Sequence, residues 1–448
     1  MFVPSKKRSA RHFSRSWMNA LLGLSGSTVF IPAAMAQQVL MPPPSVPLLP
    51  AAVQDHLTNT LDQMQVFEPG QTASSTEPEP SLFRLGPVLL RPHMLYRFLY
   101  GNGLQSSPGQ QQDSIIQVVS PGVGLDLGAN WNLDYTPTLT FYSSSQFRNT
   151  VDQSVKLGWG AAYQDDWFFT GSQSYASTSD PNVETAAQTD QQTYSTRFDA
   201  NHTLNDQLSV DLGLTQNFNV VGNSGGGTNF LQSLASSRGW STMDWFNDQL
   251  RPRLSIGLGF GFGYNQQDGS PDSIYQQYQG RVSYRATDKI SFQLGGGLED
   301  QEYLSGGASD LVTPIFNAGI QYQPFDHTQL SLNASRTVSS SSFQNQVTEA
   351  SSITVDLNQR LLGRLTLDLS GGYTTTDYIA TSSGLSTGRS DDTFNFSTRL
   401  SCPFLQRGTV SLIYQYSDNT SSQTGFAASS SAFGFTSNQI GFEIGWRY

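Results

Sequence analysis

The side chains best suited to chemistry are charged groups that recur in long alternating stretches of the chain. Arg91 and Arg97 alternate with apolar residues in one stretch, and Asp134 and Lys156 hold the polar phase of two later stretches. Residues two apart on an extended strand point to the same face. Collected on one face, such groups can attract or repel ions and polar solutes without covalent chemistry.

No catalytic arrangement accompanies these charges. A hydrolase needs a nucleophile or an activated water beside a base. The histidines that could serve as a base are dispersed along the chain, at His56, His93, His202 and His327. Asp165-Asp166 is expected to be a turn pair rather than a convergent carboxylate site. The motifs HExxH and CxxC do not occur. The sequence therefore predicts a protein that is not an enzyme.

Oxygen-rich segments also lack the spacing of a metal site. TGRSDD, residues 387–392, matches no calcium-loop spacing, and Arg389 within it opposes a bound cation. GNSGGGTN precedes no helix, so we expect a loop tip there and not a phosphate cradle. No cofactor or metal is predicted.

The composition is unusual for a soluble protein of 448 residues. Only 13% of the residues are charged and 41 are glycine, whereas soluble domains carry about 25% charged residues. The mean hydropathy of −0.34 and the lack of an 18-residue apolar run after the N-terminus exclude a bundle of transmembrane helices. The single cysteine, Cys402, excludes an intramolecular disulfide.

Residues 1–36 are typical of a secretory signal peptide. A basic segment precedes a short apolar stretch, and Ala34-Met35-Ala36 fits signal cleavage before Gln37. Removing the five basic residues of this segment from the net charge of −11 leaves −16. Such an acidic chain is not expected to bind nucleic acid.

Residues 37–84 are predicted to be a flexible, Pro-rich periplasmic leader. MPPPSVPLLP and EPGQTASSTEPEPS are an extended segment and an acidic linker. Between them, AAVQDHLTNTLDQMQVF can form one short helix. A spacer, a plug inside a barrel and a docking helix for a partner all remain open.

Residues 85–448 alternate between apolar and polar side chains in runs of ten or more residues. This length suits a tilted membrane strand. Polar turns recur every 36 to 43 residues, which is two strands, one turn and one longer loop. The predicted turns are Ala129-Asn130, Asp165-Asp166, Asn205-Asp206, Asn247-Asp248, Thr287-Asp288, Phe325-Asp326, Gly363-Arg364 and Gln406-Arg407. This pattern predicts an all-β fold, a transmembrane antiparallel up-and-down β-barrel of 18 strands, with 16 as the alternative.

Charges are expected inside such a barrel, because an Arg or Lys facing mid-bilayer lipid costs about 2–4 kcal/mol. The predicted lumen-lining charges are Arg91, Arg97, Asp126, Asp134, Lys156, Arg197, Asp199, Asp211, Arg253, Arg281, Glu299, Arg336, Asp356, Arg360, Asp368, Arg399, Glu443 and Arg447. Aromatic residues beside the short turns are expected to form a girdle at the inner interface. They are Trp131, Trp167, Trp245, Phe246, Phe325, Phe404, Trp446 and Tyr448. No loop is expected to fold inward as a constriction.

The chain ends in a strand whose alternate residues are aromatic or aliphatic. These residues are Ile440, Phe442, Ile444, Trp446 and Tyr448. This ending resembles the recognition signal that the outer-membrane barrel assembly machinery reads, so that machinery is an expected partner.

Together these features resemble bacterial outer-membrane β-barrels. FRLGPVLLRPHMLYRFLYGNG followed by SPGVGLDLGANWNLDYTPTLTFYSS resembles the β-barrel porin 2 group, over roughly residues 82–448. The resemblance implies a porin-like channel in the cell outer membrane that passes small hydrophilic solutes. The alternative is the barrel of an exopolysaccharide export system or another envelope complex, with residues 37–84 as plug or docking segment.

Overall fold

The computed structural model describes residues 83–128, 130–164, 166–222, 234–305, 310–382, 388–405, 407–423 and 433–447. The predicted signal peptide, residues 37–82 of the predicted leader and Tyr448 lie outside the described residues. No helix of the described residues is both long and apolar enough to cross a membrane.

The described residues form 21 strands, and 18 of these are long. In chain order they are β1 Arg84–Leu85, β2 Val88–Ser107, β3 Gln110–Leu127, β4 Trp131–Tyr142, β5 Thr150–Tyr163, β6 Trp167–Thr178, β7 Pro181–Asn182, β8 Ala187–Gln188, β9 Gln191–Thr203, β10 Leu208–Val221, β11 Ser237–Arg251, β12 Leu254–Gln267, β13 Ser273–Thr287, β14 Ile290–Tyr303, β15 Leu311–Phe325, β16 Thr328–Ser340, β17 Gln346–Leu361, β18 Leu365–Ala380, β19 Arg389–Phe404, β20 Gly408–Gln423 and β21 Phe435–Arg447.

The long strands form one antiparallel sheet that closes on itself. Each pairs with the next long strand along the chain, and β2 pairs with both β3 and β21. At the closing seam, Phe98 lies opposite Phe442 and Arg97 lies opposite Glu443. Closure pairs the backbone groups of the first and last long strands, which would otherwise be open edges. The prediction of an all-β barrel of 18 antiparallel strands is confirmed for the described residues.

The register divides the side chains into an outer and an inner set, because directly opposed residues share a face. On the outer face Phe260 lies opposite Tyr278, and both side chains are exposed. On the inner face of the same two strands, Gly261 lies opposite Gln277. Alternation of large apolar residues with small or polar ones therefore becomes an apolar outer wall and a polar inner wall.

One of the predicted turns is wrong. Asn247 and Asp248 are inside β11, where they pair with Gly257 and Ile256, and the chain turns at residues 252 and 253 instead. A register irregularity between Asp248 and Arg251 lets the strand continue past these polar residues. The predicted turns Asn205-Asp206, Thr287-Asp288, Phe325-Asp326 and Gly363-Arg364 coincide with connections between consecutive long strands. Ala129, Asp165 and Gln406 of the three remaining turns lie outside the described residues.

The predicted aromatic girdle is corrected at one position. Trp131, Phe246 and Trp446 are exposed near the short turns, as expected. Trp245 is buried, because it pairs with Asp211 and therefore belongs to the inner face. The Trp-Phe dipeptide places one ring on each side of the wall, and the sequence alone does not say which.

Placing a charge on the outer wall should destabilise the barrel. We expect Phe260→Arg to lower the free energy of unfolding in lipid vesicles by about 2–4 kcal/mol, because the guanidinium would face acyl chains. Gln277→Arg on the neighbouring strand is the control, since it points inward and remains beside Glu299. Equal losses of stability in both variants, measured by urea unfolding, would contradict this division of faces.

Candidate functional site

The closing seam carries a buried ion pair on the inner wall. Arg97 donates to Glu443 Oε2 from Nε at 2.8 Å and from Nη2 at 2.5 Å. The two side chains are 4% and 3% exposed. Arg399 of β19 belongs to the same inner set and lies opposite Asp368 of β18. A second strand pair close to the seam therefore also carries opposite charges. The seam joins β2 to β21 by charge as well as by backbone hydrogen bonds.

Next to the seam, basic groups lie beside carboxylates on β2 to β5. Arg91 Nη2 donates to Asp126 Oδ1 at 2.5 Å. His93 lies 3.8 Å from Asp134, measured from Nδ1 to Oδ2, and Lys156 lies directly opposite that aspartate. Two aspartates on β3 and β4 thus lie between basic groups on β2 and β5.

The opposite part of the wall carries an arginine held among polar groups. Arg281 Nη2 donates to Asp211 Oδ2 at 2.5 Å, and its Nε donates to Asn247 Oδ1 at 2.9 Å. The guanidinium carbon is 4.3 Å from the centre of the Trp245 ring. A side chain at Gly259 would collide with this indole. The inward glycine therefore leaves room for Trp245 and Arg281 to lie along the wall.

The remaining inner charges are also hydrogen-bonded. Arg197 donates to both oxygens of Asp199 at 2.7 Å. Glu299 accepts from Gln277 at 2.7 Å. Asp356 accepts from Ser331 at 3.2 Å and from Ser370 at 2.6 Å, and Asp368 accepts from Asn358 at 2.5 Å. Arg197 and Asp199 pair within β9, and the other carboxylates are hydrogen-bonded across neighbouring strands.

Three predicted lumen charges lie at the short-turn end. Arg253 is in the turn after β11 and is half exposed beside Asp288. Its prediction as a wall residue is wrong, because β11 continues past Asn247-Asp248 and the chain turns at residues 252 and 253. Arg360 is exposed and donates to Gly363 O at 3.0 Å, and Arg447 is exposed at the end of β21.

Arg336 is on the outer face, so its prediction as a lumen-lining residue is wrong. It lies opposite Phe316 and Ser351, whereas the inner phase of β16 contains Ser331 beside Asp356. Arg336 forms an ion pair with Glu349, which the register also places outward. The polar composition of this stretch, SLNASRTVSS, conceals the phase in the sequence.

Residues 179–190, which we call the crossing loop, connect β6 to β9 and fold into the barrel. Glu184 accepts from Ser341 Oγ at 2.5 Å and from Ser342 N at 2.9 Å. These serines follow β16, and eight long strands separate the two connections on one side and ten on the other. The contact joins nearly opposite walls, so the expectation that no loop folds inward is wrong.

Arg389 anchors the crossing loop to β19. It donates to Glu184 O at 3.0 Å and to Asp391 Oδ1 and Oδ2 at 3.0 and 2.5 Å. Its guanidinium lies over the rings of Tyr378 and Phe433, at 4.3 and 3.8 Å from the centroids. Sequence reasoning missed this site because TGRSDD was considered only as a candidate calcium site. The one available signal is the two-residue spacing of Arg389 and Asp391, which puts both on one face once the strand begins.

Residues 341–345 meet the crossing loop near the centre of this end. Gln267 Nε2 donates to Ser341 O at 2.7 Å and to Phe343 O at 2.9 Å. Ala235 N donates to Ser342 O at 2.8 Å, and Phe343 is buried. Segments from three connections therefore converge inside the long-loop end.

An apolar cluster supports the base of the crossing loop. Its residues are Leu99, Leu104, Ile116, Val118 and Phe147, with Tyr142 packed against them. Tyr142 Oη donates to Asp180 Oδ1 at 3.2 Å. Burial raises the pKa of Asp180, and the hydrogen bond from Tyr142 and the charge of Arg97 partly oppose this shift.

In the described part of the chain, no three His, Cys, Asp or Glu residues lie together as a metal site would require.

Breaking the seam ion pair should cost more than an exposed pair would. We expect Glu443→Gln to lower the free energy of unfolding by about 3–5 kcal/mol, because Arg97 would keep a buried charge without its carboxylate. Asp288→Asn removes the exposed partner of Arg253 and should cost about 1 kcal/mol or less. Urea unfolding in vesicles compares them, and similar losses would show that the seam pair is not effectively buried.

The chain was compared with curated proteins, solved structures and protein families. No curated protein matches the chain. Among solved structures, Pseudomonas aeruginosa OccK11 (OpdR) is 11% identical over 80% of this chain and 96% of that one, with a TM-score of 0.42. P. aeruginosa OpdK with vanillate is 11% identical over 80% and 99%, with a TM-score of 0.41. The siderophore receptor PiuA from Acinetobacter baumannii is 11% identical over 82% of both chains, with a TM-score of 0.43.

These likenesses concern the fold alone, whereas a family match concerns the sequence. Residues 272–439 match the family described as putative beta-barrel porin 2. They include β13 to β20, the Arg389 site and part of the closing strand. The resemblance to the putative β-barrel porin 2 group is thereby confirmed for these residues, which form part of the closed antiparallel β-barrel.

Proposed function

We propose that the barrel is a channel for small hydrophilic solutes and that the crossing loop narrows it at the long-loop end. The observation that carries the proposal is the ionic inner wall of a closed 18-strand cylinder. Barrels of 16 to 18 strands leave an aqueous channel when their interior is polar. Side chains that face lipid, or a packed core, would not need this set of charges.

The inner charges would act as pairs in this channel. Arg97 with Glu443, Arg91 with Asp126, and Arg281 with Asp211 are held at short distances on three parts of the wall. The Arg91–Asp126 and Arg281–Asp211 pairs are part-exposed and offer a solute both a donor and an acceptor, whereas the buried Arg97–Glu443 pair holds the seam. All three contribute little net charge. Polar solutes of either sign, rather than one kind of ion, are the class that such a wall favours.

The basic test is conductance of the mature protein in planar bilayers, with and without residues 37–84. Conductance of the intact protein is the expected result. Absence of conductance in both forms would contradict the channel. Conductance only after deletion would identify residues 37–84 as a plug and favour the envelope-complex alternative.

Loosening the crossing loop should widen the pathway. Glu184→Ala removes the acceptor for Ser341 and Ser342, and each hydrogen bond to a charged group contributes about 1.5–3 kcal/mol. We expect a larger single-channel conductance and faster entry of uncharged sugars into vesicles.

Asp206→Ala is the matched control, because this exposed acid lies in a short turn at the other end of the barrel. Its conductance should equal that of the wild type. Unchanged conductance in Glu184→Ala, with folded protein confirmed by its gel mobility before and after heating, would remove the crossing loop from the permeation pathway.

A further inference from the structure

The hydrogen-bond ladder between β3 and β4 is interrupted in the middle of the wall. Pairing stops after Val119 with Leu139 and resumes at Val123 with Tyr135, without a change of register. Three described positions on each strand, 120–122 and 136–138, therefore have no backbone pairing across this interface. We call these six residues the ladder break.

Two prolines explain the ladder break. Because the register is unchanged, Pro121 lies directly opposite Pro137, and neither residue has a backbone N–H to donate. Within sheets, proline is otherwise confined to edge strands, strand ends and bulges. A shorter interruption of the ladder between β10 and β11, at residues 212–213, contains no proline on either strand. The backbone donors are present there, whereas the ladder break has lost two opposed donors.

The ladder break is close to the middle of the membrane. Pro121 is six residues before Leu127, the end of β3, and Pro137 is six residues after Trp131, the start of β4. With about 3.3 Å per residue and a strand tilt near 40°, both lie roughly 15 Å above the short turns. The apolar band of such barrels is about 25 Å tall, so acyl chains surround this part of the wall. Irregular pairing is costly in hydrocarbon, and departures from local rules are expected at functional sites.

Side chains on the inner face hold the two strands together at the ladder break. Ser120 Oγ and Thr138 Oγ1 are 3.0 Å apart. His93 reaches from β2 across β3, with its Nε2 3.0 Å from Thr136 Oγ1. Gly122 allows this, because a side chain there would collide with the imidazole. Such side-chain bonds can be exchanged for bonds to water in the lumen, so the strands can part here without losing a backbone hydrogen bond.

The inner wall beside the ladder break is apolar. Leu95 of β2 lies opposite Ser120 and is 1% exposed. Leu99, Ile116 and Val118 continue this surface along β2 and β3 toward the crossing loop. An apolar surface therefore lies on both sides of the wall, and the ladder break lies directly between them.

We propose that the ladder break is a lateral opening through which an amphiphile with one acyl chain passes between the barrel interior and the bilayer. When β3 and β4 part, the opening extends about 13 Å along the strands, from Val119 to Val123. The acyl chain moves from the inner apolar surface directly into lipid, while the polar head group exchanges hydrogen bonds with the hydroxyls of Ser120 and Thr138. A hydrophilic solute does not take this route, because it would enter hydrocarbon. The opening is therefore separate from the pathway of the proposed channel.

The first test determines whether an acyl chain reaches the inner face. The protein is reconstituted in phosphatidylcholine vesicles that contain palmitic acid with a diazirine in its chain, and the sites labelled on irradiation are mapped by mass spectrometry. We expect labels on Leu95 and Val118, which face inward, as well as on Leu139, which faces lipid. Labels confined to lipid-facing residues would overturn the proposal.

A disulfide across the ladder break tests whether the chain enters at this place. In a Cys402→Ser background, Ser120→Cys with Thr138→Cys replaces two hydroxyls that are 3.0 Å apart. Oxidation should lower labelling of Leu95 at least tenfold, because the strands can no longer part. Labelling of Leu139 should stay the same, and a reductant should restore the inner labels.

The matched control is a disulfide across an uninterrupted ladder. Ser335 of β16 and Ser352 of β17 are directly opposed on the inner face, with their Oγ atoms 2.9 Å apart. In the same background, oxidation of Ser335→Cys with Ser352→Cys should leave the inner labels unchanged.

Restoring the backbone donors tests the role of the prolines without any cysteine. Pro121→Ala with Pro137→Ala allows the ladder to close, so inner labelling should again fall at least tenfold. This variant adds hydrogen bonds to the wall and keeps its apolar surface, so folding should not be impaired.

Each outcome decides the proposal. Inner labels that both the oxidised break disulfide and the alanine pair remove support it. Inner labels that survive oxidation of the break disulfide, or that fall equally with the control disulfide, overturn it. Inner labels unaffected by the alanine pair overturn the assignment of the opening to the two prolines. The labels are read without measuring conductance, so failure of the lateral opening and failure of the channel are distinguishable.

Discussion

The pairing of β2 with β21 is the interaction on which the rest of the structure depends. Inside hydrocarbon, no water is available for backbone N–H and C=O groups, so a sheet can span a membrane only when it has no open edge. The two terminal strands meet in register from His93 to Asn102, and Arg97 with Glu443 joins them again by charge. Only after closure do an outside and an inside exist, and every side-chain role follows from that distinction.

On the inside, charge is tolerated because it is compensated. Arg91, Arg97 and Arg281 each have a carboxylate at hydrogen-bond distance, so the inner wall is strongly polar with little net field. The crossing loop uses the same chemistry, since Glu184 and Arg389 attach it to the β16–β19 side of the barrel, nearly opposite the strands β6 and β9 that carry the loop. The interior is therefore lined by paired charges, and connections of the long-loop end converge over it.

On the outside, the few exceptions to an apolar wall become informative for the same reason. A charge that faces lipid carries an energetic penalty that an inner charge does not, and Arg336 offsets part of this penalty through its ion pair with Glu349. The polar interior and the apolar exterior are thus two separate surfaces of one closed sheet.

The alternation of side chains by itself determined the barrel and its strand number, because a two-residue period leaves each side chain only two faces. It failed where that period is weak. Arg336 stands in a run of polar residues, Trp245 shares a dipeptide with another aromatic ring, and Asn247 resembles a turn residue within a continuing strand. Contacts such as Glu184 with Ser341 and Arg389 with Glu184 were decided by the tertiary structure alone. They join residues more than 150 positions apart, and they exist only because closure brings distant loops over one shared interior.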